Sequence, residues 1–269
     1  MDLQLTGKRA LVTGSSSGIG AAIARELAAE GCDVAIHGRD RERAEAVAGE
    51  CRALGVRAET VLGSILAPED CDAIAEAALA ALGGIDILVN CAGGVVKDGN
   101  PDWMEMDWGD WNHSFELNVI SAVRLAQRLT PGMIERQWGR IVNISSVGGK
   151  QLSGTLLEYG AAKAALDHLT GNLSRRLAPQ GITVNGVVPG TVLTPQAKRW
   201  IESLGNQNGW PEDFGERERI FTQERGQQPV PRLGRAVEIA AAVAFLASPR
   251  SDFTTGALLR IDGGNTRAT

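Results

Sequence analysis

Short runs rich in β-branched residues alternate with longer helical stretches along almost the whole chain, and this alternation restricts the fold more than any other feature. The pattern predicts strands at Arg9–Thr13, Asp33–His37, Val56–Leu62, Ile85–Asn90, Arg140–Ser145, Thr183–Val188 and Ala257–Ile261. Between them it predicts helices over Ile19–Glu30, Arg41–Leu54, Pro68–Leu82, Trp111–Gln137, Leu156–Leu177 and Glu238–Ala247. Strands joined by helices of about ten residues or more pair in parallel through right-handed crossovers, which predicts an α/β doubly wound parallel sheet. The 269 residues, 43% of them hydrophobic, suit one such domain spanning 1–269, because no shift in composition marks a boundary. Thr194–Gly234 breaks the alternation: it is polar, carries Trp200 and Trp210, and holds the mixed-charge run Glu216–Arg219. Long insertions of this kind are often lids over sites, so a helical lid is expected; a solvated excursion or an oligomer contact is the other reading.

The net charge of -5 offers no electrostatic reason for nucleic acid or an anionic membrane as partner. Cys32, Cys51, Cys71 and Cys91 lack CxxC spacing and the three histidines are scattered, so no metal site or disulfide framework is expected. The N-terminus lacks an apolar signal core and no apolar run approaches membrane-spanning length. A cytoplasmic, reduced protein is the expectation.

The first strand runs straight into Thr13-Gly14-Ser15-Ser16-Ser17-Gly18-Ile19-Gly20 and then a helix. Glycines let the backbone turn sharply and approach a ligand, and the amides opening the helix suit a pyrophosphate. The spacing is G-x-x-x-G-x-G rather than the better-known G-x-G-x-x-G. Many strand-to-helix turns need glycine for shape alone, but this one lies at the ligand-binding edge of a doubly wound sheet. Gly14, Ser16, Ser17, Gly18, Ile19 and Gly20 are therefore candidate phosphate contacts. At the tip of the second strand stand Gly38, Arg39 and Asp40. An acidic side chain there bonds the ribose hydroxyls of NAD, whereas Arg39 is able to clamp a 2′-phosphate. NADP(H) is favoured over NAD(H); the competing reading leaves Arg39 solvated and Asp40 as a helix cap only.

Tyr159, the single tyrosine, is followed four residues later by Lys163. Positions four apart share a helix face, so phenol and ammonium point into one space. A cation beside a phenol favours the phenolate, which predicts a Tyr159 pKa below its usual value of about 10 and a role in moving a proton on or off an alcohol oxygen. A core tyrosine beside a surface lysine is the plain alternative for such a pair taken alone.

Taken together, these pieces resemble the short-chain dehydrogenase/reductase family over nearly the whole chain, in particular the 3-oxoacyl-carrier-protein reductases and related alcohol dehydrogenases. The matching motifs, in the family's order, are the 13–20 turn, Asn90-Cys91-Ala92-Gly93, Asn118, Ser145-Ser146, Tyr159-x-x-x-Lys163, Pro189-Gly190 with Thr194, and Asp262-Gly263-Gly264. The resemblance implies a Rossmann-like fold and reversible NAD(P)-dependent oxidation of a secondary alcohol or reduction of a ketone. It implies a catalytic tetrad of Asn118, Ser146, Tyr159 and Lys163. Ser146 would hold the substrate oxygen, Tyr159 exchange the proton, Lys163 tune the tyrosine and bind the nicotinamide ribose, and Asn118 anchor a water. Asn90, Ala92, Gly93, Pro189, Gly190, Val192 and Thr194 would complete the cofactor site with Tyr159 and Lys163. Three positions depart from the family pattern. Ser17 replaces a basic residue common before the second glycine of the turn. Ser64 stands where an aspartate usually meets the adenine. Cys91 replaces a commoner asparagine and is expected to be an inert thiol.

The substrate pocket is expected between the loop after Gly93, the segment Val147–Glu158 and the lid, with Gly94, Gly148, Gly149, Leu152 and Trp200 as liners beside Ser146. These residues are small or apolar, which suits a neutral ketone or alcohol such as a β-ketoacyl thioester, a polyol or a cyclic alcohol. Trp103, Trp108 and Trp111 read as core or subunit contacts rather than substrate platforms. The family resemblance implies a homotetramer or dimer. A 3-oxoacyl thioester reductase is the narrower alternative; a catalytically silent cofactor-binding regulator is the alternative of another class.

Overall fold

The structure, a computed structural model, describes residues 2–96, 103–152, 156–225 and 228–267. Parts of the expected pocket walls (97–102, 153–155 and 226–227) lie outside the described residues. Seven parallel strands form one sheet: β1 (Arg9–Val12), β2 (Asp33–Gly38), β3 (Ala58–Leu62), β4 (Ile87–Asn90), β5 (Gly139–Ile144), β6 (Ile182–Pro189) and β9 (Leu258–Ile261). Their order is β3-β2-β1-β4-β5-β6-β9. The chain steps outward from β1 on one side and resumes with β4 on the other, so a crevice opens where the carboxyl ends of β1 and β4 part.

Helices cover both faces, as a sheet of nearly continuous apolar strands requires. On one face α1 (Gly18–Ala29), α2 (Arg41–Arg52) and α9 (Ala236–Ala247) pack over Val12, Ile36, Val89 and Val142. On the other, α3 (Pro68–Leu82) and α5 (Ser121–Glu135) pack over Leu11, Leu88, Ile141 and Val184. Small side chains, such as Ala21, Ala24 and Ala28 of α1 against Ala240, Ala244 and Ala247 of α9, let backbones approach closely. Helix α6 (Leu157–Leu177) completes the second face, its Ala162 and Leu166 packing with Val119 just before α5 and Ala122 in its first turn.

Two regions differ from the sequence expectation. The helix expected over Trp111–Gln137 is divided into α4 (Trp108–Phe115), a π turn over Glu116–Ile120, and α5. It starts earlier because Asp107 and Asp110 close a capping box in front of Trp108. The π turn contains Asn118, whose side-chain amide donates to the Ser114 carbonyl at 2.9 Å. A side chain bonding into the i−4 ladder is a recognised cause of such a bulge. The second region is the insertion, which contains α7 (Pro195–Asn208) and α8 (Phe214–Ile220) and is flanked by β7 (Val192–Leu193) and β8 (Gly234–Arg235). Strands β7 and β8 pair in parallel and pin its two ends together. Inside it, Ile201, Phe221 and Leu233 form a separate apolar cluster. Arg217 is buried there and donates to the carbonyls of Pro211 and Glu202 and to Asn206 Oδ1. Among the described residues no helix is long and apolar enough to cross a membrane.

Candidate active site

The turn between β1 and α1 is a backbone cradle. Gly14 has φ +67°, and a Cβ there would lie 2.9 Å from Ala92 Cα, so only glycine lets this turn lie against the loop after β4. Thr13 fastens that loop, its Oγ1 accepting from the amides of Cys91 at 2.9 Å and Ala92 at 3.0 Å. Ser17 is the N-cap of α1 yet makes no side-chain bond to the first turn. The helix-opening amides of Gly18, Ile19 and Gly20 are thus left without a side-chain cap, and the dipole end faces the crevice. Thr194 comes to the same place: its Cγ2 would be 3.5 Å from a Cβ on Gly18, while its hydroxyl caps α7 through the Ala197 amide at 3.1 Å.

At the tip of β2, Asp40 caps α2 through the Arg43 amide at 3.1 Å and pairs with the Arg43 side chain. Arg39 is exposed and its guanidinium has no hydrogen bond or ion pair among the described residues. Gly38 leaves room for Ser16, whose Oγ would be only 2.5 Å from a Cβ at that position. Uncapped amides, a cradle that side chains would fill and a free cation at its rim together fit a phosphorylated dinucleotide. Beyond β3, Ser64 turns its hydroxyl to the Leu66 amide at 3.2 Å.

The four residues implied as a tetrad converge at the mouth of this crevice. Ser146, just past β5, shares a hydrogen bond with the Tyr159 phenol, and its Oγ also accepts from the Gly148 amide at 3.1 Å. Gly148 lies against both: a Cβ there would be 3.4 Å from Ser146 Oγ and 3.4 Å from Tyr159 Cε1. Lys163 is buried, donates to the Ile144 carbonyl at 2.9 Å, and holds Nζ 5.7 Å from the Tyr159 ring centroid. Gly93 marks the meeting of the remaining pair, since a Cβ on it would be 2.7 Å from Asn118 Oδ1 and 3.2 Å from Lys163 Nζ. Asn118 grips the same loop, accepting from the Gly94 amide and donating to the Gly94 carbonyl, each at 3.0 Å. Asn90 Nδ2 donates to Asn143 Oδ1 at 2.8 Å, so this residue ties β4 to β5.

One electrostatic expectation is corrected. Lys163 does not set the direction of the Tyr159 shift: burial pushes the phenol above its ordinary value, and the Ser146 bond opposes that. The same burial pushes the Lys163 ammonium down to about 8, with Cys91 and Asp167 acting the other way. Both ionised forms are therefore penalised by the dry site, and the resting tyrosine is a neutral phenol. Cys91 is pushed up to about 12 by burial, which leaves it a thiol at neutral pH.

Of the expected pocket liners, Gly94, Gly148 and Gly149 border the tetrad; Gly149 packs on the backbone of Lys163 and Ala164. Leu152 is fully exposed at 105% and projects into solvent. Trp200 is half exposed and packs edge-on against Phe221 within the insertion, 5.2 Å between centroids. Pro189, Gly190 and Val192 lie along the exit of β6, where Gly190 approaches the Asp262 backbone. Sequence reasoning missed Thr13 and His37 as loop anchors; the only available signal was a polar residue ending each otherwise apolar strand.

The short chain dehydrogenase family model matches residues 8–204. The 3-oxoacyl-[acyl-carrier-protein] reductase of Aquifex aeolicus is 36% identical over 265 residues, 98% of this chain and 99% of that one. Among solved structures, L-sorbose reductase from Gluconobacter frateurii, complexed with NADPH and L-sorbose, superposes with TM-score 0.93 at 34% identity, covering all of both chains. A 7α-hydroxysteroid dehydrogenase complexed with NADH and 7-oxo glycochenodeoxycholic acid superposes with TM-score 0.86 at 32% identity, covering 100% of this chain and 98% of that one. With the sheet order, the glycine cradle and the Ser146–Tyr159–Lys163 cluster already in view, the chain belongs to the short-chain dehydrogenase/reductase family and is an NAD(P)-dependent oxidoreductase acting on CH–OH groups and the matching ketones.

Proposed function

We propose that the protein reduces a neutral ketone with NADPH, with Tyr159 as the proton donor. The observation that carries this reading is the Tyr159 phenol, bonded to Ser146 and held protonated by burial. A group that rests as the acid is poised to protonate an oxygen on which negative charge develops. Ser146 holds that oxygen by donating its hydroxyl proton. Lys163, anchored on the Ile144 carbonyl, places a cation beside the phenol and eases the loss of its proton. Asn118 fixes the loop that carries Gly93 and Gly94 and so keeps the wall next to Lys163 in place. When bound, the nicotinamide supplies the hydride, or accepts it in the reverse direction. The turn from Gly14 to Gly20, with Asn90, Ala92, Gly93, Pro189, Gly190, Val192 and Thr194 around it, would hold the dinucleotide.

Free Arg39, with Ser16 beside Gly38, supports NADPH over NADH, because the 2′-phosphate offers the guanidinium a charge-assisted pair. The related structures carry NADPH in one case and NADH in the other, so the preference rests on Arg39. The small and apolar residues near Ser146 support a substrate without a carboxylate at the reacting end. The insertion between Thr194 and Gly234 acts as the lid over it. Exposed Phe253 and Leu259, beside an edge of β9 that no other strand pairs among the described residues, support assembly as a homotetramer.

The test is turnover followed at 340 nm with NADPH and NADH in parallel, against 3-oxoacyl thioesters, ketoses, steroid ketones and small cyclic ketones, with Tyr159→Phe as control. Turnover that prefers NADPH and falls by roughly 10²–10⁴-fold in Tyr159→Phe is expected. Full activity in that variant would refute the proton-donor role, and tight NADPH binding with no turnover on any ketone would favour a silent binder.

A further inference from the structure

Strand β2 runs Val34-Ala35-Ile36 into His37, a histidine with 3% of its surface exposed. Its two ring nitrogens meet two different backbones. The Gly14 amide donates to Nδ1 at 3.1 Å, and Nε2 lies 3.2 Å from the Gly63 carbonyl. These partners determine the proton positions without further information. A carbonyl only accepts, so Nε2 carries the hydrogen; an amide only donates, so Nδ1 presents a lone pair. The ring is a neutral imidazole in one tautomer, and a second proton would set Nδ1–H against Gly14 N–H.

The backbone of the same residue holds the next position of the turn. The Ser15 amide donates to the His37 carbonyl at 2.8 Å, the His37 amide donates to Ser15 Oγ at 2.9 Å, and Ser15 Oγ donates to the Val12 carbonyl at 2.7 Å. Gly63, on the other side of the ring, is also tied to the Gly38 carbonyl at 3.2 Å. One buried side chain therefore links the opening of the turn after β1 with the loop after β3, two segments that, among the described residues, only the ring joins through side-chain bonds.

We propose that His37 is a positioning residue for the cofactor: its neutral imidazole braces the phosphate-binding turn at Gly14 against the adenine-side loop at Gly63. The inference rests on the reading of Gly14–Gly20 as the cofactor's phosphate loop. With Gly14 and Ser15 spent on His37, the amides from Gly18 onward are left to meet the ligand, and their direction depends on the brace. Rigid placement of such donors before binding is what converts contacts into affinity.

Three substitutions separate the parts. His37→Asn keeps an acceptor near the Nδ1 position for Gly14 and loses Gly63. His37→Gln reaches toward Gly63 and leaves Gly14 N–H unpaired. His37→Phe fills the space and loses both. The dissociation constant for NADPH is measured by protein fluorescence at pH 7.5, with kcat and KM at saturating ketone and near-ultraviolet circular dichroism to confirm packing. His37→Phe and His37→Gln are expected to weaken NADPH roughly tenfold, the effect of one unsatisfied amide, with kcat at saturating cofactor unchanged. His37→Asn is expected to recover most of the affinity. A purely structural role would lower thermal stability in all three without ordering their affinities in this way. Equal NADPH affinity in wild type and His37→Gln would overturn the brace while leaving the phosphate-loop reading intact. Failure of the wild-type protein to bind any nicotinamide nucleotide would overturn both.

Discussion

Acidification from pH 7 to pH 5 is expected to remove about 2 kcal/mol of folding stability through His37 alone. Burial lowers this imidazole from 6.5 to about 4, and the nearby Arg39 charge acts in the same direction. The unfolded chain then takes up the proton near pH 6.5 while the folded one resists until about pH 4. The stabilisation is fully present above the unfolded value and is lost as pH falls through the folded one. A gap of about 2.5 units at about 1.36 kcal/mol each amounts to roughly 3 kcal/mol over the whole window, of which about 2 kcal/mol has gone by pH 5. Urea midpoints at fixed protein concentration, taken in half-unit steps from pH 4.5 to 7.5, read this loss when wild type is compared with His37→Phe. Carboxylate titrations affect both proteins and cancel in the difference. The absolute stability of the variant is immaterial, because only the convergence of the two curves on acidification carries the argument. Curves that stay parallel from pH 7 to pH 5 would refute the neutral, doubly bonded imidazole.

Three further outcomes follow from the site. Arg39→Gln is expected to weaken NADPH by about 10- to 100-fold and leave NADH nearly unchanged, read as the ratio of kcat/KM values for the two cofactors; a parallel loss for both would place Arg39 away from the 2′-phosphate. Gly20→Ala places a Cβ against the Gly14 carbonyl and within 2.9 Å of Ser15 Cα, so the turn must move; a loss of about 1–3 kcal/mol in stability and of measurable NADPH binding by calorimetry is expected. Asp167 lies one turn beyond Lys163, is buried, and pairs with Lys150 at 3.1 Å. The groups acting on Lys163 are Asp167 on its own helix and Cys91 from the loop after β4. Asp167→Asn removes support for the ammonium and is expected to move the alkaline fall in kcat to lower pH, whereas Lys150→Met leaves Asp167 uncompensated and moves it higher. Shifts of the same sign in both variants would show that the pair acts through loop shape rather than charge.

What was legible in the sequence is what repeats along it or recurs at short spacing. Val34-Ala35-Ile36 and Ile87-Leu88-Val89 announce buried parallel strands because each is apolar on both faces and followed by a helix. Tyr159 and Lys163 were paired by helix period, and the turn from Gly14 to Gly20 by its place after β1. Properties that depend on neighbours across the sheet were not legible. The direction of the Tyr159 shift is set by how deeply α6 is buried against the Ser146 loop, and four-residue spacing carries no information about depth. His37 reads as one polar residue closing an apolar strand until the register brings β2 between β1 and β3. The π turn at Asn118 depends on a bond to Ser114 that a uniform helical pattern conceals.

Reaction class was readable, and substrate identity was not, for the same physical cause. Reaction chemistry needs particular atoms, and those atoms leave motifs. The insertion engages several of its polar groups within itself or with the chain just beyond it: Arg217 serves Pro211, Glu202 and Asn206, Glu218 accepts from Arg235 and the Leu233 amide, and Arg232 pairs with Glu238 of α9. On the proposed reading of the insertion as a lid, the half-exposed Trp200 is an apolar side chain that it offers a ligand. An apolar wall discriminates by shape and volume, at roughly 1–3 kcal/mol per methylene-sized difference, and shape is a property of packing rather than of spacing. On that reading the lid selects among the proposed neutral ketones by size. Trimming Trp200 to Phe or Ala is therefore expected to reorder kcat/KM across the ketone panel by about 10- to 100-fold while leaving the NADPH dissociation constant unchanged. A uniform drop across all ketones would instead mean that Trp200 only holds the insertion together through Phe221.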